Sequence, residues 1–344
     1  MISCEVNDIA DPRWNKRLLD ASLGSIHQTN EFAMFTKEVF NRKPQFLQFL
    51  IPNGEIVGQL LLFEYPRFKK NEISKKFITK ITGKEDKILR WKYGPIIFKP
   101  NLADDICESL YGFCAKQKKQ QKTIVIGTEF PLLAESLKNF EKPFIKNTWA
   151  TFLINLSENL EVIWEKMDKH SAQKNIKRSE NRGVTISEIT EKDLITIFDL
   201  IKKYKEETKT NTEEKVEDVK KMWHYLHNIG MHGFLAFYDN EPIGGIMASS
   251  FNGYINEFGV ARTPKDSENK LYSQDLLKWH IIKWGKSQNL KYYDLTGVNP
   301  NPSNQKEKGI YRYKQKWGGK LVNYNQISTS KSKLLPKNLY NFFM

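Results

Sequence analysis

The sequence of 344 residues lacks the features that mark secreted, membrane-spanning or metal-binding proteins. Its three cysteines (Cys4, Cys107 and Cys114) show no Cys-x-x-Cys spacing, and its six histidines form no His-Glu-x-x-His pattern. These absences argue against a disulfide framework and a metal site. No window approaches the ~18 apolar residues of a membrane span. The N-terminus, MISCEVNDIADPRW, has acids and no apolar run, unlike a secretion signal. We therefore expect a cytoplasmic protein that needs no metal or redox cofactor.

Acidic residues are too few to balance the basic ones. The chain has 54 Lys and Arg against 40 Asp and Glu, which gives a net charge of +14. Such an excess favours an anionic partner, such as RNA, a phosphorylated precursor or a membrane surface. A lysine-rich proteome would produce the same balance, so the clustering of the charges is more informative than their total.

The chain is long enough for two domains, because single hydrophobic cores seldom grow much past ~250 residues. A hydrophobic content of 40% with 12% aromatic residues is sufficient for globular cores. Neither a P-loop nor a dinucleotide-binding fingerprint occurs in the sequence.

Two segments far apart in the chain share one pattern, which indicates an internal repeat. In the first, an Asn53-Gly54 turn joins the alternating strand 46–49 to a second strand. In the other, an Asp239-Asn240 turn joins the strand 234–237 to a second strand. Both patterns are typical of β-hairpins. A helix and a further strand follow each hairpin, at 105–117 and 123–127 in the first half and at 273–287 and 291–296 in the second.

Two clusters of basic residues stand out. The stretch 160–182 reads as one amphipathic helix that Gly183 would end, and Lys174, Arg178 and Arg182 share one face of it. The second cluster lies at 306–320. Like charges four residues apart repel by a few tenths of a kcal/mol on an isolated helix. Uncompensated stripes therefore favour a polyphosphate ligand, although a solvated face remains open for each cluster alone.

The stretch YDLTGVNPNPSNQKEKGIYRYKQKWGG, residues 293–319, carries the most specific pattern. Tyr293-Asp294-Leu295-Thr296-Gly297 ends a predicted strand, and Tyr313-Lys314 precedes Trp317-Gly318-Gly319. This stretch resembles the end of the second domain in the Fem family of peptidyltransferases, whose usual form is Phe-Lys with a later Phe-Gly-Gly. The basic segment before Gly183-Val184 and the segment 90–95 resemble parts of the same family.

The resemblance implies a fold and a domain layout. Fem proteins contain two tandem GNAT-like acyltransferase domains, each an α/β domain with a mixed, mostly antiparallel sheet flanked by helices. The order of hairpin, helix and strand read above is that of the GNAT fold. We expect domains at 1–147 and 148–330, with a C-terminal tail at 331–344 that packs on the second domain or touches a membrane surface.

The resemblance also implies a function. Fem enzymes move an aminoacyl group from aminoacyl-tRNA to an amine of a cell-envelope precursor of the peptidoglycan type, and this forms an amide. It implies catalytic roles for Lys314, which would stabilise the oxyanion, and for Asp294, which would orient Lys314 or the amine or cap a turn. The expected substrate contacts are Tyr313, Tyr254, Asn256, Glu257 and Arg312. The expected contacts to tRNA phosphates are Lys174, Lys177, Arg178, Arg182 and Lys316.

Two alternatives remain open at this point. An N-acyltransferase that uses coenzyme A or a carrier would act on an amino sugar or amino acid. GNAT enzymes hold coenzyme A with a glycine-rich loop at a helix N-terminus, but the segment 262–270 has no glycine, one proline and two acids. A non-catalytic RNA- or membrane-binding protein on the same scaffold is the other alternative. The segment 208–212 also lacks an arginine that Fem acceptor sites often have, so the acceptor could differ from the usual one.

Overall fold

The computed structural model describes residues 2–67, 87–121, 123–134, 145–208 and 215–329. The predicted tail at 331–344 and residues 209–212 lie outside these ranges. Contacts divide the chain into two compact units. The first holds the described residues up to Trp149 together with 323–329, and the second holds Ala150–Val322. The last strand thus contributes to the first unit, whereas the sequence placed its residues in the second domain.

The first unit is built on a sheet with the strand order β1-β2-β3-β4-β6-β13. Its pairs are antiparallel, except that β4 and β6 run parallel. The strands are β1 (Ser3–Asn7), β2 (Lys43–Leu50), β3 (Ile56–Pro66), β4 (Lys87–Arg90), β5 (Ile96–Ile97, which pairs with β3), β6 (Thr123–Thr128) and β13 (Lys320–Ser328). The helices are α1 (Trp14–Asp20), α2 (Asn30–Phe40) and α3 (Ala103–Gln121), and α3 lies between the parallel strands in sequence.

The second unit repeats this plan with the strand order β8-β9-β10-β11-β12-β7. Here β11 and β12 are the parallel pair. The strands are β7 (Ile145–Asn155), β8 (Thr185–Glu188), β9 (Met231–Tyr238), β10 (Glu241–Phe251), β11 (Tyr254–Arg262) and β12 (Tyr292–Val298). The helices are α4 (Leu160–Lys166), α5 (Lys174–Asn181), α6 (Leu194–Glu207), α7 (Val216–Leu226), α8 (Pro264–Glu268), α9 (Ser273–Ser287) and α10 (Gln305–Gln315).

The matching strand orders confirm the predicted internal repeat. The two predicted hairpins are β2–β3 and β9–β10, and the predicted helix at 273–287 has the bounds of α9. Asp239 and Asn240 both adopt positive φ angles, 51° and 62°. That is the conformation a two-residue hairpin turn requires, and it explains the Asp-Asn signal.

The predicted helix at 160–182 is interrupted. Helix α4 ends at Lys166 because Met167 is extended, with a ψ of 148°. Asp168 then accepts a hydrogen bond from the Ser171 amide at 2.7 Å and begins a π-helical turn that leads into α5. A side chain that bonds the backbone locally competes with helix continuation. Ile163, Met167 and Ile176 nevertheless all lie in the core of the second unit, as the apolar side of an amphipathic segment requires.

None of the helices within the described ranges is long and apolar enough to cross a membrane.

Candidate active site in the second unit

A cavity of about 640 Å³ lies in the second unit where the two parallel strands separate. Strands β11 and β12 pair only over Tyr254–Asn256 and Tyr292–Asp294. Beyond that point, residues 257–262 of β11 line one wall of the cavity, and Thr296 of β12 lines another part. Helices α9 and α10 and Tyr204 of α6 supply the rest of the lining. The second unit therefore has an open site at the carboxyl ends of its parallel strands.

The first unit has no such separation at the corresponding place. The backbone continues to pair past β4, because the Trp91 amide donates to the Ile126 carbonyl (3.1 Å) and the Gly94 amide to the Thr128 carbonyl (3.0 Å). The Trp91 ring is 2% exposed and packs so closely on Gly127 that a Cβ there would lie 2.0 Å from it. The side chain of Trp91 thus occupies this position in the first unit.

Lys314 of α10 lines the cavity and is anchored to the end of β12. Its Nζ donates to the Thr296 carbonyl at 3.2 Å, the Thr296 hydroxyl at 3.3 Å and the Gly297 carbonyl at 3.1 Å. Burial lowers the pKa of Lys314 to about 8; Glu257 and Asp294 oppose this shift, and Lys278 adds to it. The ammonium form of Lys314 therefore predominates below about pH 8, and the neutral amine predominates above it.

The backbone at Thr296 is strained, and Asp294 holds it in place. Thr296 has a φ of 63°, which is unusual for a β-branched residue. Asp294 Oδ1 accepts a hydrogen bond from the Thr296 amide at 2.7 Å and another from the Thr151 hydroxyl. The same hydroxyl lies 2.9 Å from the Thr296 carbonyl oxygen. These contacts hold in place the Thr296 carbonyl, which accepts a hydrogen bond from Lys314.

Asp294 is fully buried and does not line the cavity. Its Oδ2 accepts hydrogen bonds from the Tyr254 hydroxyl (2.5 Å) and the Asn256 amide (3.2 Å). Burial raises the pKa of Asp294, and the hydrogen bonds from Thr151, Tyr254 and the Thr296 amide, together with the charge of Lys314, counteract the rise. Of the two roles open for Asp294, the geometry supports positioning of the strand end. Tyr254 and Asn256, expected to contact substrate, instead belong to this buried network.

Glu257 and Tyr313 do line the cavity, as expected of substrate contacts. Glu257 Oε1 accepts hydrogen bonds from the Lys278 ammonium and the Tyr293 hydroxyl. The centroid of the Tyr313 ring lies 5.9 Å from the Lys278 ammonium and 4.3 Å from the Lys316 ammonium. Arg312, in contrast, is exposed and is not part of the lining.

The basic residues expected to bind phosphates separate into two groups. Lys174, Lys177, Arg178 and Arg182 are exposed on α5 and at its end. Lys316 is different, because its ammonium binds the Asp275 carboxylate at 2.5 Å and its side chain is only 11% exposed. The charge of Lys316 is therefore already paired within the fold, and the geometry does not support the phosphate contact predicted for it.

Tyr272 extends the exposed basic surface. Arg178 and Arg182 lie 5.9 and 6.0 Å from the centroid of its ring, and Arg178 donates to its hydroxyl at 3.4 Å. Arg182 also donates to the carbonyls of Asn269 and Lys270. We call Lys174, Lys177, Arg178, Arg182 and Tyr272 the α5 surface.

The N-terminus of α9 is already occupied by a carboxylate of the chain. The buried Asp266 accepts a hydrogen bond from the Ser273 amide at 2.8 Å. In an enzyme that binds coenzyme A, amides at a helix N-terminus would face the pyrophosphate. A second carboxylate, that of Asp275, lies in the first turn of the same helix but is neutralised by Lys316, so the opposition to an anion comes from Asp266. This arrangement disfavours a pyrophosphate ligand, in agreement with the acids of the segment 262–270.

The double glycine after Trp317 has a structural explanation. Gly318 has a φ of 72°, and a Cβ there would lie 2.4 Å from the Lys166 carbonyl oxygen. A Cβ on Gly319 would lie 2.9 Å from the Leu153 carbonyl oxygen. Trp317 itself is fully buried. The motif therefore allows the end of α10 to pack closely on α4 and β7, which positions Lys314.

The structure also contains a serine–histidine–glutamate cluster that the sequence did not reveal. His232 lies 2.9 Å from Glu188 through Nδ1 and 3.0 Å from Ser250 through Nε2. None of the three lines the 640 Å³ cavity, and the Ser250 amide is bound to the Gly230 carbonyl at 2.6 Å. We interpret the cluster as cross-strand contacts between β8, β9 and β10. Residues on adjacent strands meet in this way without any signal in sequence spacing.

Across the described ranges, no group of three or more His, Cys, Asp or Glu side chains is placed to hold a metal ion.

Solved structures with the same fold include three that cover nearly the whole chain. FemX aligns with a TM-score of 0.68 at 12% identity, over 93% of this chain and 96% of FemX. The C-terminal domain of a putative lysylphosphatidylglycerol synthetase from Agrobacterium fabrum aligns with a TM-score of 0.54 at 9% identity, over 93% of this chain and 92% of that one. A tandem GNAT protein from the clavulanic acid biosynthesis pathway aligns with a TM-score of 0.55 at 9% identity, over 96% of this chain and 100% of that one.

No family model matches the sequence, and no curated protein matches it. The structural likeness confirms the predicted fold, two tandem GNAT-like α/β domains as in FemX.

Replacement of Asp294 by Asn tests its role in holding the strand end. The amide offers one acceptor oxygen where the carboxylate offers two, so buried donors lose a partner. We expect the free energy of unfolding to fall by about 1–3 kcal/mol, measured by chemical denaturation. Asp168→Asn, at an exposed helix cap, is the control and should lower the free energy of unfolding less than the Asp294 variant does. Equal stabilities of the Asp294 variant and the wild type would contradict this role.

Proposed function

We propose that this protein is an aminoacyltransferase that moves an aminoacyl group from aminoacyl-tRNA to an amine of a cell-envelope precursor. The proposal depends on the position of Lys314. Its ammonium binds Thr296, which Asp294 holds in place, at the cavity that opens where the parallel strands β11 and β12 separate. A GNAT-like fold shared with FemX surrounds it. The acceptor class follows from the resemblance to Fem enzymes, and the name of the lysylphosphatidylglycerol synthetase neighbour supports only aminoacyl transfer to an envelope component in general.

The reaction needs a stabilised oxyanion and a transfer of protons. The acceptor nitrogen forms a bond to the acyl carbon, and the ester bond to the ribose oxygen breaks. The amine loses a proton, and the ribose oxygen gains one. A preorganised cation in a partly dry site stabilises the oxyanion, and the Lys314 ammonium fits that task once one of its N–H groups turns from the strand end to the substrate.

The positive charge of the protein supports tRNA as the donor. The net charge of +14 and the exposed α5 surface suit a polyphosphate. Arginines can bind phosphates and an aromatic ring can stack on bases, and Arg178, Arg182 and Tyr272 supply both kinds of group on this surface. Coenzyme A is disfavoured, because Asp266 already binds the amide at the start of α9.

The tandem GNAT neighbour keeps a coenzyme A-dependent N-acyltransferase as the competing function. The non-catalytic alternative predicts that Lys314 can be replaced without loss of biological activity. The proposed reaction takes place in the cytoplasm. If the precursor is anchored in the membrane, the protein contacts the inner face of that membrane peripherally.

Replacement of Lys314 by Met should lower the turnover number at least about a hundredfold, because the oxyanion loses its cationic partner. The measurement is transfer of a radiolabelled aminoacyl group from charged tRNA to an envelope-precursor fraction. The control is Lys308→Met, an exposed residue of the same helix that lies outside the cavity lining; its turnover should match the wild type. Near-wild-type turnover of the Lys314 variant would remove it from the mechanism.

The pH profile provides a second readout for Lys314. Its pKa is about 8, so the ammonium is present below pH 8 and is lost as the pH rises through it. We expect the wild-type rate to fall on this alkaline side. Lys314→Arg keeps its charge at higher pH, so the fall should move upward in that variant.

The α5 surface should carry part of the tRNA affinity. Replacement of Lys174, Arg178 and Arg182 by Gln removes three cations, and the slope of log K against log salt should flatten by up to about 3. The control removes the same charge from the exposed residues Lys192, Lys202 and Lys203. If both triple variants show the wild-type slope, the α5 charges are merely solvated.

A further inference from the structure

The charge of the cavity is unbalanced. The cations among its lining residues are Arg262, Lys278, Lys306 and Lys314, and Glu257 is the only acid among the described residues that line it. The remaining walls include apolar side chains such as Phe258, Val260 and Ile310. A ligand therefore meets apolar surface and an excess of positive charge.

Glu257 does not offset this excess, because Lys278 already neutralises it. The two side chains form an ion pair and are only 7% and 4% exposed. The Tyr293 hydroxyl donates to the same carboxylate oxygen, Oε1. Removing Glu257 from this pair would leave the Lys278 charge buried and unpaired, which is strongly unfavourable. The pair is thus a neutral unit in the wall.

The remaining positive charge lies on the other three cations, which form no ion pair with a carboxylate of the described residues. Arg262 and Lys306 are exposed residues at the cavity, on β11 and α10 respectively. Lys314 donates hydrogen bonds to uncharged carbonyl and hydroxyl oxygens, and the buried Asp294 acts on its charge only through space, without an ion pair. Charges a few ångströms apart interact more strongly in a partly buried site than in water. A further cation that enters this cavity would lose hydration and gain no unpaired anionic partner among the described lining residues.

We propose that the cavity selects an uncharged or acidic aminoacyl group and excludes basic ones such as lysyl and arginyl. This inference rests on the proposed function, in which the cavity holds the aminoacyl end of the donor. The apolar walls accommodate the aliphatic part of the side chain, and the positive potential of Arg262, Lys306 and Lys314 discriminates by charge. Glu257 does not bind a basic side chain of the donor, because its carboxylate already forms an ion pair with Lys278.

The test compares glutaminyl, glutamyl and lysyl groups esterified to one tRNA body, since these side chains are similar in length and differ in charge. We expect the kcat/KM of the lysyl donor to be at least about tenfold below that of the glutaminyl donor. The double variant Arg262→Glu with Lys306→Glu should reduce or invert this ratio. The matched control is Lys308→Glu with Lys283→Glu, which changes the charge equally at exposed residues of α10 and α9 outside the cavity lining; it should keep the wild-type ratio.

Binding gives a readout that does not depend on turnover. Calorimetry with 3′-amino-3′-deoxyadenosine acylated by glutamine or by lysine should show weaker binding of the lysine analogue to the wild type. The charge-reversed double variant should lose this difference.

The outcomes separate the two proposals. If the wild type transfers no aminoacyl group from any tRNA, the proposed function fails, and this inference fails with it. If transfer occurs and the lysyl donor reacts as well as the glutaminyl donor, only the charge selection is wrong. If the double variant weakens all three donors equally, Arg262 and Lys306 hold donor phosphates instead, which also overturns the inference.

Discussion

The hydrogen bonds of Asp294 are the constraint on which the rest of the site depends. Asp294 fixes the Thr296 amide at 2.7 Å and also binds Thr151, Tyr254 and Asn256. Thr296 is thereby kept at a φ of 63°, where its carbonyl and hydroxyl meet Lys314. Backbone strain of this kind persists only where the surroundings over-determine it, and it is concentrated at functional sites. A buried carboxylate thus positions a lysine that it does not bind directly.

The two units show how one topology can be open or closed. Both have a parallel pair of strands inside an otherwise antiparallel sheet. In the first unit Trp91 continues the pairing and packs on Gly127. In the second the strands separate after Asn256 and Asp294, and a cavity opens between them. The difference depends on a few side chains at the strand ends, so a shared fold alone does not place a catalytic site in each unit.

Local sequence patterns predicted much of the fold, but they did not predict which residues pair with the buried charges. The hairpins, the repeat and helix α9 follow from alternation, turn residues and periodicity. Lys314, Tyr313 and Glu257 were expected at the site and line the cavity. Long-range pairs gave no sequence signal: Thr151 with Asp294 and Lys316 with Asp275 join residues far apart in the chain. The interruption before α5 depends on one capping side chain, Asp168, that periodicity does not register.

Binding of the purified protein to total aminoacylated tRNA and, separately, to acetyl-coenzyme A, at low and moderate salt, tests the proposed function most directly. The proposed function predicts tight tRNA binding that weakens steeply with salt, and no binding of coenzyme A, because Asp266 occupies the start of α9. Binding of coenzyme A without binding of tRNA would contradict it. The protein would then be an N-acyltransferase, and the α5 surface would require another ligand.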